Sequence, residues 1–302
     1  MITKRLLLFY LFVGMFLFIS CESSRGTAEV SGPPPFKMIN GAELGLDFSN
    51  ELQQTSEFNV FNYMYFFNGG GVAAGDFNQD GLPDLYFTSN MESNRLFLNQ
   101  GDLQFEDVTE KAGVAGSGGW KTGASVVDIN QDGLLDIYVS QMGEFQTVEG
   151  RNQLFICREI VDGIPRFEEQ AAAYNLNDEG FSTHASFFDY DKDGDLDVYI
   201  LNNSFQAIGS FNLRKNERPK RDELGGDKLM RNEGGRFVDV SEQAGIYGSV
   251  IGFGLGVTVG DVNNDNWEDI FVSNDFFERD YLYINQQDGT FREDLVNQIK
   301  SI

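Results

Sequence analysis

Four short stretches of the sequence carry oxygen-bearing side chains at a fixed spacing. In each stretch, Asp or Asn stands at positions 1, 3, 5 and 9, and position 6 is Gly in three of the four. Carboxylate and amide oxygens suit Ca²⁺, which takes six to eight oxygen ligands at about 2.3–2.6 Å. We therefore expect each stretch to form a calcium loop, about four ions in all. The loops are residues 76–84, 128–136, 189–197 and 261–269.

The expected ligands of each ion are the side chains at positions 1, 3, 5 and 9 and the main-chain carbonyl at position 7. The Gly at position 6 permits a sharp reversal of the chain. Asn266 replaces it in the fourth loop and adopts the left-handed conformation less readily. The expected side-chain ligands are Asp76, Asn78, Asp80 and Asp84; Asp128, Asn130, Asp132 and Asp136; Asp189, Asp191, Asp193 and Asp197; and Asp261, Asn263, Asp265 and Asp269. The expected carbonyl ligands belong to Leu82, Leu134, Asp195 and Trp267.

The residues of the loops allow other interpretations. An EF-hand needs a bidentate Glu at position 12 on a helix, whereas position 12 falls in an apolar run in every copy, as at Phe87 and Val139. Mg²⁺ fits less well because it gives up its waters reluctantly. A metal-free Asp/Asn turn stays open as an alternative, although clustered carboxylates repel one another without a cation.

The segments around each loop read as β-strands. In the second copy, a glycine-rich strand at 119–127 precedes the loop and an apolar strand at 137–140 follows it. A third strand at 152–157 and a fourth element at 167–176 complete the unit. Four short strands in each unit of 50–70 residues are typical of a propeller blade. The predicted fold is all-β, a β-propeller of four-stranded antiparallel blades with about four repeats present.

The ends of the repeat array set the expected domain limits. Residues 36–46 match the fourth element of a unit without a loop ahead of them, so we expect the domain to span 36–302 and to begin with an outer strand. The sequence ends within the fourth element of the last unit. Two interpretations follow: a four-bladed ring, or part of a longer protein with more blades. The interpretation as part of a longer protein is favoured, because the sequence ends within a repeat, without a terminal strand or cap.

The N-terminal residues predict export. Lys4 and Arg5 precede an apolar run of 14 residues, which suits a signal peptide rather than a membrane span. The run ends in residues 18–21, Phe-Ile-Ser-Cys, which resemble a bacterial lipobox. We expect residues 1–21 to be a lipoprotein signal peptide, Cys21 to carry the lipid, and residues 22–35 to be a flexible tether. The protein would then be anchored by lipid alone, at the outer membrane or cell surface of a bacterium. An ordinary signal peptide is the alternative.

Composition limits the partners and the chemistry. The net charge of −25 argues against nucleic acid, whose phosphates need clustered Lys and Arg. The loop aspartates supply 14 of the 47 acidic residues. Besides Cys21 the chain has one cysteine, Cys157, which replaces an Asn of the other units and is expected to be buried and structural. With Cys21 lipidated no disulfide can form, so metal binding is the expected substitute.

The four loops in phase with their strands resemble the FG-GAP/VCBS repeat of integrin α-subunit propellers and of bacterial surface proteins related to cartilage acidic protein. The resemblance covers residues 36–302. It implies a propeller, typically of seven blades, with calcium in the hairpin loop between the first two strands of a blade, and a role in extracellular binding or adhesion. Two features depart from the family pattern: there are too few repeats for seven blades, and the literal Phe-Gly…Gly-Ala-Pro string is absent.

The expected function is therefore a calcium-stabilised binding or adhesion module whose ligand is a protein or a glycan. Its contact face should lie opposite the loops, where strands two and three of each unit are connected. The third unit has a long connection there, residues 203–226, which is either a ligand contact or a solvated insertion. Its basic residues, the candidate contacts, are Arg214, Lys215, Arg218, Lys220 and Arg221.

Two alternative functions stay open. One is a lyase-like propeller enzyme that acts on polysaccharide, with the single histidine, His184, as its candidate base. We expect no enzymatic activity, because no nucleophile–base pair is evident and many carboxylates are committed to the loops. The other is a structural module of a longer multidomain surface protein.

Overall fold

The computed structural model describes residues 36–206 and 215–299. The expected signal peptide and tether, with Arg214, lie outside the described residues. Contacts within the chain divide it into residues 1–39 and residues 40–302. Of the first unit, residues 36–39 are described; they form no helix or strand and are exposed. All that follows concerns the second unit.

Within the described residues, sixteen strands form four antiparallel sheets of four strands, and in each sheet the strands lie side by side in chain order. The first sheet comprises β1 (Val72–Gly75), β2 (Asp84–Phe87), β3 (Arg95–Asn99) and β4 (Phe105–Asp107). The second comprises β5 (Trp120–Val127), β6 (Asp136–Met142), β7 (Gln153–Val161) and β8 (Ile164–Glu169). The third comprises β9 (Ser182–Phe188), β10 (Asp197–Asn202), β11 (Lys228–Asn232) and β12 (Phe237–Asp239). The fourth comprises β13 (Gly254–Gly260), β14 (Asp269–Asn274), β15 (Tyr281–Asn285) and β16 (Phe291–Glu293).

Short helices flank the sheets. A 3-10 helix, Gly41–Leu44, precedes the first sheet. Three short α-helices follow the fourth strands of the first, second and fourth sheets: α1 (Thr109–Ala112), α2 (Ala171–Tyr174) and α3 (Leu295–Ile299).

The first strands of consecutive sheets pack against one another, β1 against β5, β5 against β9, and β9 against β13. Each sheet is therefore a blade, and the four blades are arranged as a β-propeller. Every acidic loop joins the first two strands of its blade. The predicted fold class is confirmed, with four blades.

Apolar side chains fill the space between neighbouring blades. Tyr86 of the first blade packs with Ile137 of the second, and Tyr138 of the second packs with Val198 of the third. Tyr199 of the third packs with Ile270 of the fourth. All six are fully buried. Successive residues of β6 and of β10 thus face opposite neighbouring blades, because successive side chains of a strand point to opposite faces of the sheet.

Small residues let the first strands approach one another closely. A Cβ atom on Gly123 would lie 2.6 Å from the carbonyl oxygen of Thr183 in the next blade. The Thr122 hydroxyl donates to the carbonyl of Ser182 at 2.7 Å, and the Ser125 hydroxyl donates to that of Ala185 at 2.7 Å. The glycine-rich composition of these strands therefore reflects crowding between blades, as the sequence predicts.

The expected strand at the start of the domain is not present. Residues 36–39 form no strand, and the chain enters the 3-10 helix instead. A fourth strand pairs with the third strand of its own blade, and no third strand precedes this segment in the described residues. The turn that ends a fourth element is present, because Gly45 has φ 80° and abuts the carbonyl of Phe105. Gly245 has φ 79° and abuts the carbonyl of Phe291 in the same way.

The crowding of the first strands can be tested with two glycines. Gly123→Ala should lower the free energy of unfolding by about 1–3 kcal/mol, the cost of overpacking, because the neighbouring atoms include main chain. Gly260→Ala is the matched control, since Gly260 lies in the first strand of the fourth blade and a Cβ there would meet nothing within 4 Å. The control should change stability by no more than about 0.5 kcal/mol in urea denaturation. Equal effects of the two substitutions on stability would contradict the conclusion that the first strands are crowded at Gly123.

Candidate metal sites

The four acidic loops share one backbone conformation. Position 6 is left-handed in every copy, with φ between 67° at Asn266 and 100° at Gly194. Asn266 therefore adopts the conformation that Gly provides in the other loops. Position 4 is left-handed as well, a feature that sequence reasoning missed. The position-4 residues are Gln79, Gln131, Lys192 and Asn264, with φ of 58–61°.

The side chains of the first loop converge on its own backbone. The Asp76 carboxylate accepts the N–H groups of Asp80 and Gly81 at 3.0 and 2.9 Å. The Asn78 amide donates to Asp80 Oδ2 at 3.0 Å. The equivalent bonds recur in the second and fourth loops. Three expected ligand residues of each loop are thus brought together and point inward.

The Asp at position 9 does more than face the loop. Asp84 is fully buried, and its two carboxylate oxygens accept the N–H of Phe77 in the loop and the N–H of Asn99 at the end of the third strand, at 2.9 and 2.8 Å. We call this arrangement the position-9 clamp. It recurs at Asp136, Asp197 and Asp269. The clamp ties the loop to the third strand of its blade.

Burial makes these clamp carboxylates reluctant to ionise. It raises the pKa of Asp84 and of Asp136 to about 6, against the opposing effect of the two N–H donors. The pKa of Asp197 rises to about 7, again through burial and with a contribution from the charge of Asp191. The loops therefore concentrate negative charge that the protein's own cations do not balance.

The third loop brings three carboxylates together. Asp189, Asp191 and Asp197 each place a carboxylate oxygen within 4.8 Å of the others. Asp189 Oδ1 is buried and has no hydrogen-bond partner. Burial and the charge of Asp193 raise the pKa of Asp191. An unpartnered buried oxygen among three carboxylates fits the oxygen-only ligand set that Ca²⁺ prefers, so these residues would hold the ion.

Position 4 links each of the first three loops to the next blade. Gln79 Nε2 donates to the carbonyl of Gly133 at 2.8 Å, and Gln131 Nε2 donates to the carbonyl of Gly194 at 2.7 Å. Lys192 Nζ donates to the carbonyl of Asn266 and lies 5.0 Å from the centre of the Trp267 ring. The acceptor is always the position-6 residue. The signal in the sequence was that every position-4 side chain carries an N–H donor.

A second clamp holds the opposite end of the blade. Asn152, just before the third strand, accepts the N–H of Gln141 at 2.7 Å and donates to the Tyr138 hydroxyl at 2.9 Å. In the third blade Asp227 takes this place, accepting the N–H of Asn202 at 2.9 Å and the Tyr199 hydroxyl at 2.8 Å. Burial raises the pKa of Asp227 to about 7. In the first and second blades an Asn, Asn94 or Asn152, makes these bonds without a charge, whereas the fourth blade has Asp280, which accepts the N–H of Asn274.

Two of the basic residues predicted as ligand contacts bind other parts of the protein. Arg218 forms an ion pair with the buried Glu278. The guanidinium of Arg221 donates to the carbonyl of Ile246 at 2.9 Å. Lys215 and Lys220 are exposed. Two of the five thus help to hold the connection in place.

The fold and its loops define a class: β-propellers whose blades carry an acidic loop in the first hairpin. Residues 62–139, which include the first two loops, match the model of the FG-GAP-like repeat family. This part of the chain is therefore similar to the FG-GAP-like repeat, as the resemblance in the sequence indicates.

Two relatives extend this similarity. The chain is 25% identical over 171 residues to cartilage acidic protein 1 of Mus musculus, covering 55% of this chain and 25% of the relative. It is 26% identical over 139 residues to cartilage acidic protein 1 of Xenopus tropicalis, covering 46% of this chain and 20% of the relative. The matched segment is about a quarter of the length of these relatives. Separately, no helix among the described residues is long and apolar enough to cross a membrane.

The charge of Asp227 should make stability depend on pH. Its folded pKa of about 7 exceeds its ordinary value of 3.8, so its ionisation costs stability as the pH rises from about 4 to about 7. Asp227→Asn should be more stable than the wild type at about pH 8, by up to about 4 kcal/mol, since each unit of the pKa shift corresponds to about 1.4 kcal/mol. The advantage should largely vanish at about pH 3, below the ordinary pKa of 3.8, where the wild-type carboxyl is mostly protonated in both states. Urea denaturation of the wild type and the variant at the two pH values measures the difference in stability. A difference that does not change with pH would contradict the assignment of the effect to the Asp227 charge.

Proposed function

We propose that the protein is a calcium-stabilised β-propeller module that binds a protein or glycan ligand outside the cytoplasm. The repeat and the fold fit a binding or structural role. The observation that carries the calcium part is the third loop, where the buried, unpartnered Asp189 Oδ1 lies among three carboxylates. A cation there neutralises charge that the protein leaves uncompensated. About four ions, one in each loop, is the full form of the proposal.

The metal's role is structural. The position-9 clamp ties each loop to the third strand, and in the first three blades the position-4 side chain ties the loop to the next blade. An ion that orders a loop therefore supports both the blade and its neighbour. Asp189, Asp191 and Asp197 are the residues of the third loop that would hold it. Cys157 is the single described cysteine and is unpaired, so the described part of the chain has no disulfide to serve instead.

Calcium should raise the melting temperature, and chelator should lower it. An ion that binds only the folded state contributes about 2.7 kcal/mol per site when it is present at 100 times its dissociation constant. Asp189→Asn removes one expected ligand and should reduce the calcium-dependent gain. Asp102→Asn removes the same charge from the exposed turn between β3 and β4 and should leave the gain unchanged. Calorimetry in calcium, magnesium and chelator measures each variant.

The loops would be metal-free turns if millimolar calcium left the melting temperature of the wild type unchanged. Equal loss of the gain in both variants would mean that calcium acts through net charge alone. Magnesium should reproduce little of the effect, because it holds its waters more tightly.

We propose that the module is an exported lipoprotein of a bacterium, held at the outer membrane or cell surface by lipid on Cys21. The support is the charged, apolar and lipobox order of residues 1–21. Cys21→Ser should move the protein from the membrane fraction to the soluble fraction of cells and abolish incorporation of labelled palmitate. Membrane association that survives this change would contradict the lipid anchor. Nucleic acid is not a proposed partner, given the net charge of −25.

The proposed role is non-catalytic. His184, the candidate base of the enzyme alternative, lies in β9, where burial lowers its pKa. A Cβ on Gly123 would lie 3.0 Å from its Nδ1, so the ring packs in the crowded space between first strands. A structural role explains this placement. The long connection of the third blade and the other connections between second and third strands form the proposed ligand face.

A further inference from the structure

The end of the blades opposite the acidic loops carries an aromatic cap. Residues 55–68, which precede β1, fold as turns and contribute four buried rings: Phe58, Tyr63, Tyr65 and Phe66. These pack on Trp120 at the start of β5, Met142 at the end of β6, and Phe181 and Phe253, which lie shortly before β9 and β13. First strands start and second strands end here, so the cap lies on the face away from the loops.

A cavity of about 380 Å³ lies between the cap and the third blade. Its walls include Tyr63, Tyr65, Phe181 and Phe205. The Tyr63 and Phe205 rings are nearly parallel, with an angle of 8° and centroids 6.4 Å apart. At the rim, the Phe61 ring is 94% exposed.

Among the described residues that line this cavity, none carries a charge. The protein as a whole has a net charge of −25, and another cavity, of about 490 Å³, is lined by Glu144, Glu149 and Glu169 among others. A neutral, aromatic cavity in such a protein selects a neutral ligand with at least one apolar face.

Two polar groups of this cavity lack partners. Asn203 is 3% exposed, and neither its side-chain oxygen nor its side-chain nitrogen makes a hydrogen bond. The hydroxyl of the buried Tyr65 also has no partner. Buried polar groups are nearly always hydrogen-bonded, so each exception requires an explanation.

The repeat shows that Asn203 is not needed for folding. Asn90 and Met142 hold the equivalent place, each following the residue whose N–H binds the second clamp. The Asn90 amide is satisfied within the protein, since it donates to the carbonyls of Gly69 and Lys121 and accepts from Asn50. Met142 is apolar and fully buried. The position thus tolerates an apolar side chain, and its amide in the third blade has no structural use.

We propose that this cavity binds one neutral pyranose ring of a glycan. A pyranose has a face of C–H groups that packs on aromatic rings, whose faces carry partial negative charge. Adjacent hydroxyls each donate and accept, which matches the donor and acceptor of one amide. The Asn203 amide and the Tyr65 hydroxyl supply the hydrogen bonds, and Tyr63, Phe205 and Phe61 supply the ring contacts. This rests on the proposed function, in which ligand is bound on the face away from the loops.

The test is titration of the calcium-loaded protein with neutral oligosaccharides: cello-, manno-, xylo- and chito-hexaose, each to about 10 mM, a range that detects weak sites. Intrinsic fluorescence is a suitable readout because Trp120 packs on Tyr63 in the cap. At least one sugar should bind. Asn203→Leu should weaken that binding by about tenfold or more, since it removes both hydrogen-bonding atoms. Its melting temperature should equal or exceed that of the wild type, because the lost amide has no partner.

Two further variants separate binding from folding. Phe61→Ala should weaken sugar binding without lowering the melting temperature, as the ring is almost fully exposed. Asn90→Leu is the matched control: it should lower the melting temperature and leave the affinity of the folded protein unchanged, because Asn90 does not line this cavity.

Three results would overturn the inference: none of the four sugars binds, Asn203→Leu binds them as the wild type does, or Asn203→Leu loses stability as Asn90→Leu does. Binding of a charged polymer such as polygalacturonate that is indifferent to Asn203→Leu would place ligand recognition elsewhere. In that case the proposed binding module stands and this cavity is not its site. An unchanged melting temperature on calcium addition would contradict the calcium part of the proposed function. It would not affect the conclusion drawn from the sugar titration.

Discussion

A buried carboxylate that accepts two main-chain N–H groups holds each blade at its loop end. One of these groups belongs to the loop and the other to the end of the third strand, so a single Asp fixes three elements at once. Because both donors are neutral, the negative charge stays uncompensated, and burial raises the pKa of Asp84, Asp136 and Asp197 to about 6 or 7. Both carboxylate oxygens of the clamp therefore have hydrogen-bond donors, but no positive charge balances the carboxylate. The other acidic side chains of the loop sit beside this charge and add to it.

The four loops differ in how much of their negative charge is hydrogen-bonded within the loop. In the first, second and fourth loops, the position-1 carboxylate is occupied by two main-chain N–H groups. In the third loop, Asp189 Oδ1 has no partner, and Asp191 replaces the Asn of the other copies. More negative charge and fewer internal donors make the third loop the one in which a divalent cation relieves the most repulsion. Four similar sequences thus give loops that differ in negative charge and in internal hydrogen bonds.

The two faces of the blades have different roles. On the loop face, the same clamp recurs in all four blades, and position-4 side chains join neighbouring loops. On the opposite face the blades diverge: one carries the aromatic cap, and the third carries a long connection and the unpartnered Asn203. Repetition suits a scaffold, whereas irregular connections on a rigid frame are where binding residues concentrate. This contrast supports the proposal that the ligand is bound on the irregular face.

The sequence by itself determined the blade. Period-two strands, glycine at the turn and acidic residues at fixed spacing are local features, and four copies in phase made them specific. The left-handed position 6, the crowded first strands and the buried Cys157 followed from the same local chemistry. The absence of a strand at residues 36–39 could not be predicted from the local sequence pattern, because a strand forms only where a partner strand offers hydrogen bonds.

Tertiary structure decided which polar groups are left over. Asn90, Asn202 and Asn203 look alike in the sequence, yet the first two are fully bonded and the third is not. The dual role of the position-9 Asp, the links between loops and the ion pair of Arg218 with Glu278 likewise join residues far apart in the chain. Spacing along the chain fixes which residues share a loop, but the packing of blades fixes which hydrogen-bonding atoms find partners. For this protein, the loops were readable from the sequence and the cavity on the opposite face was not.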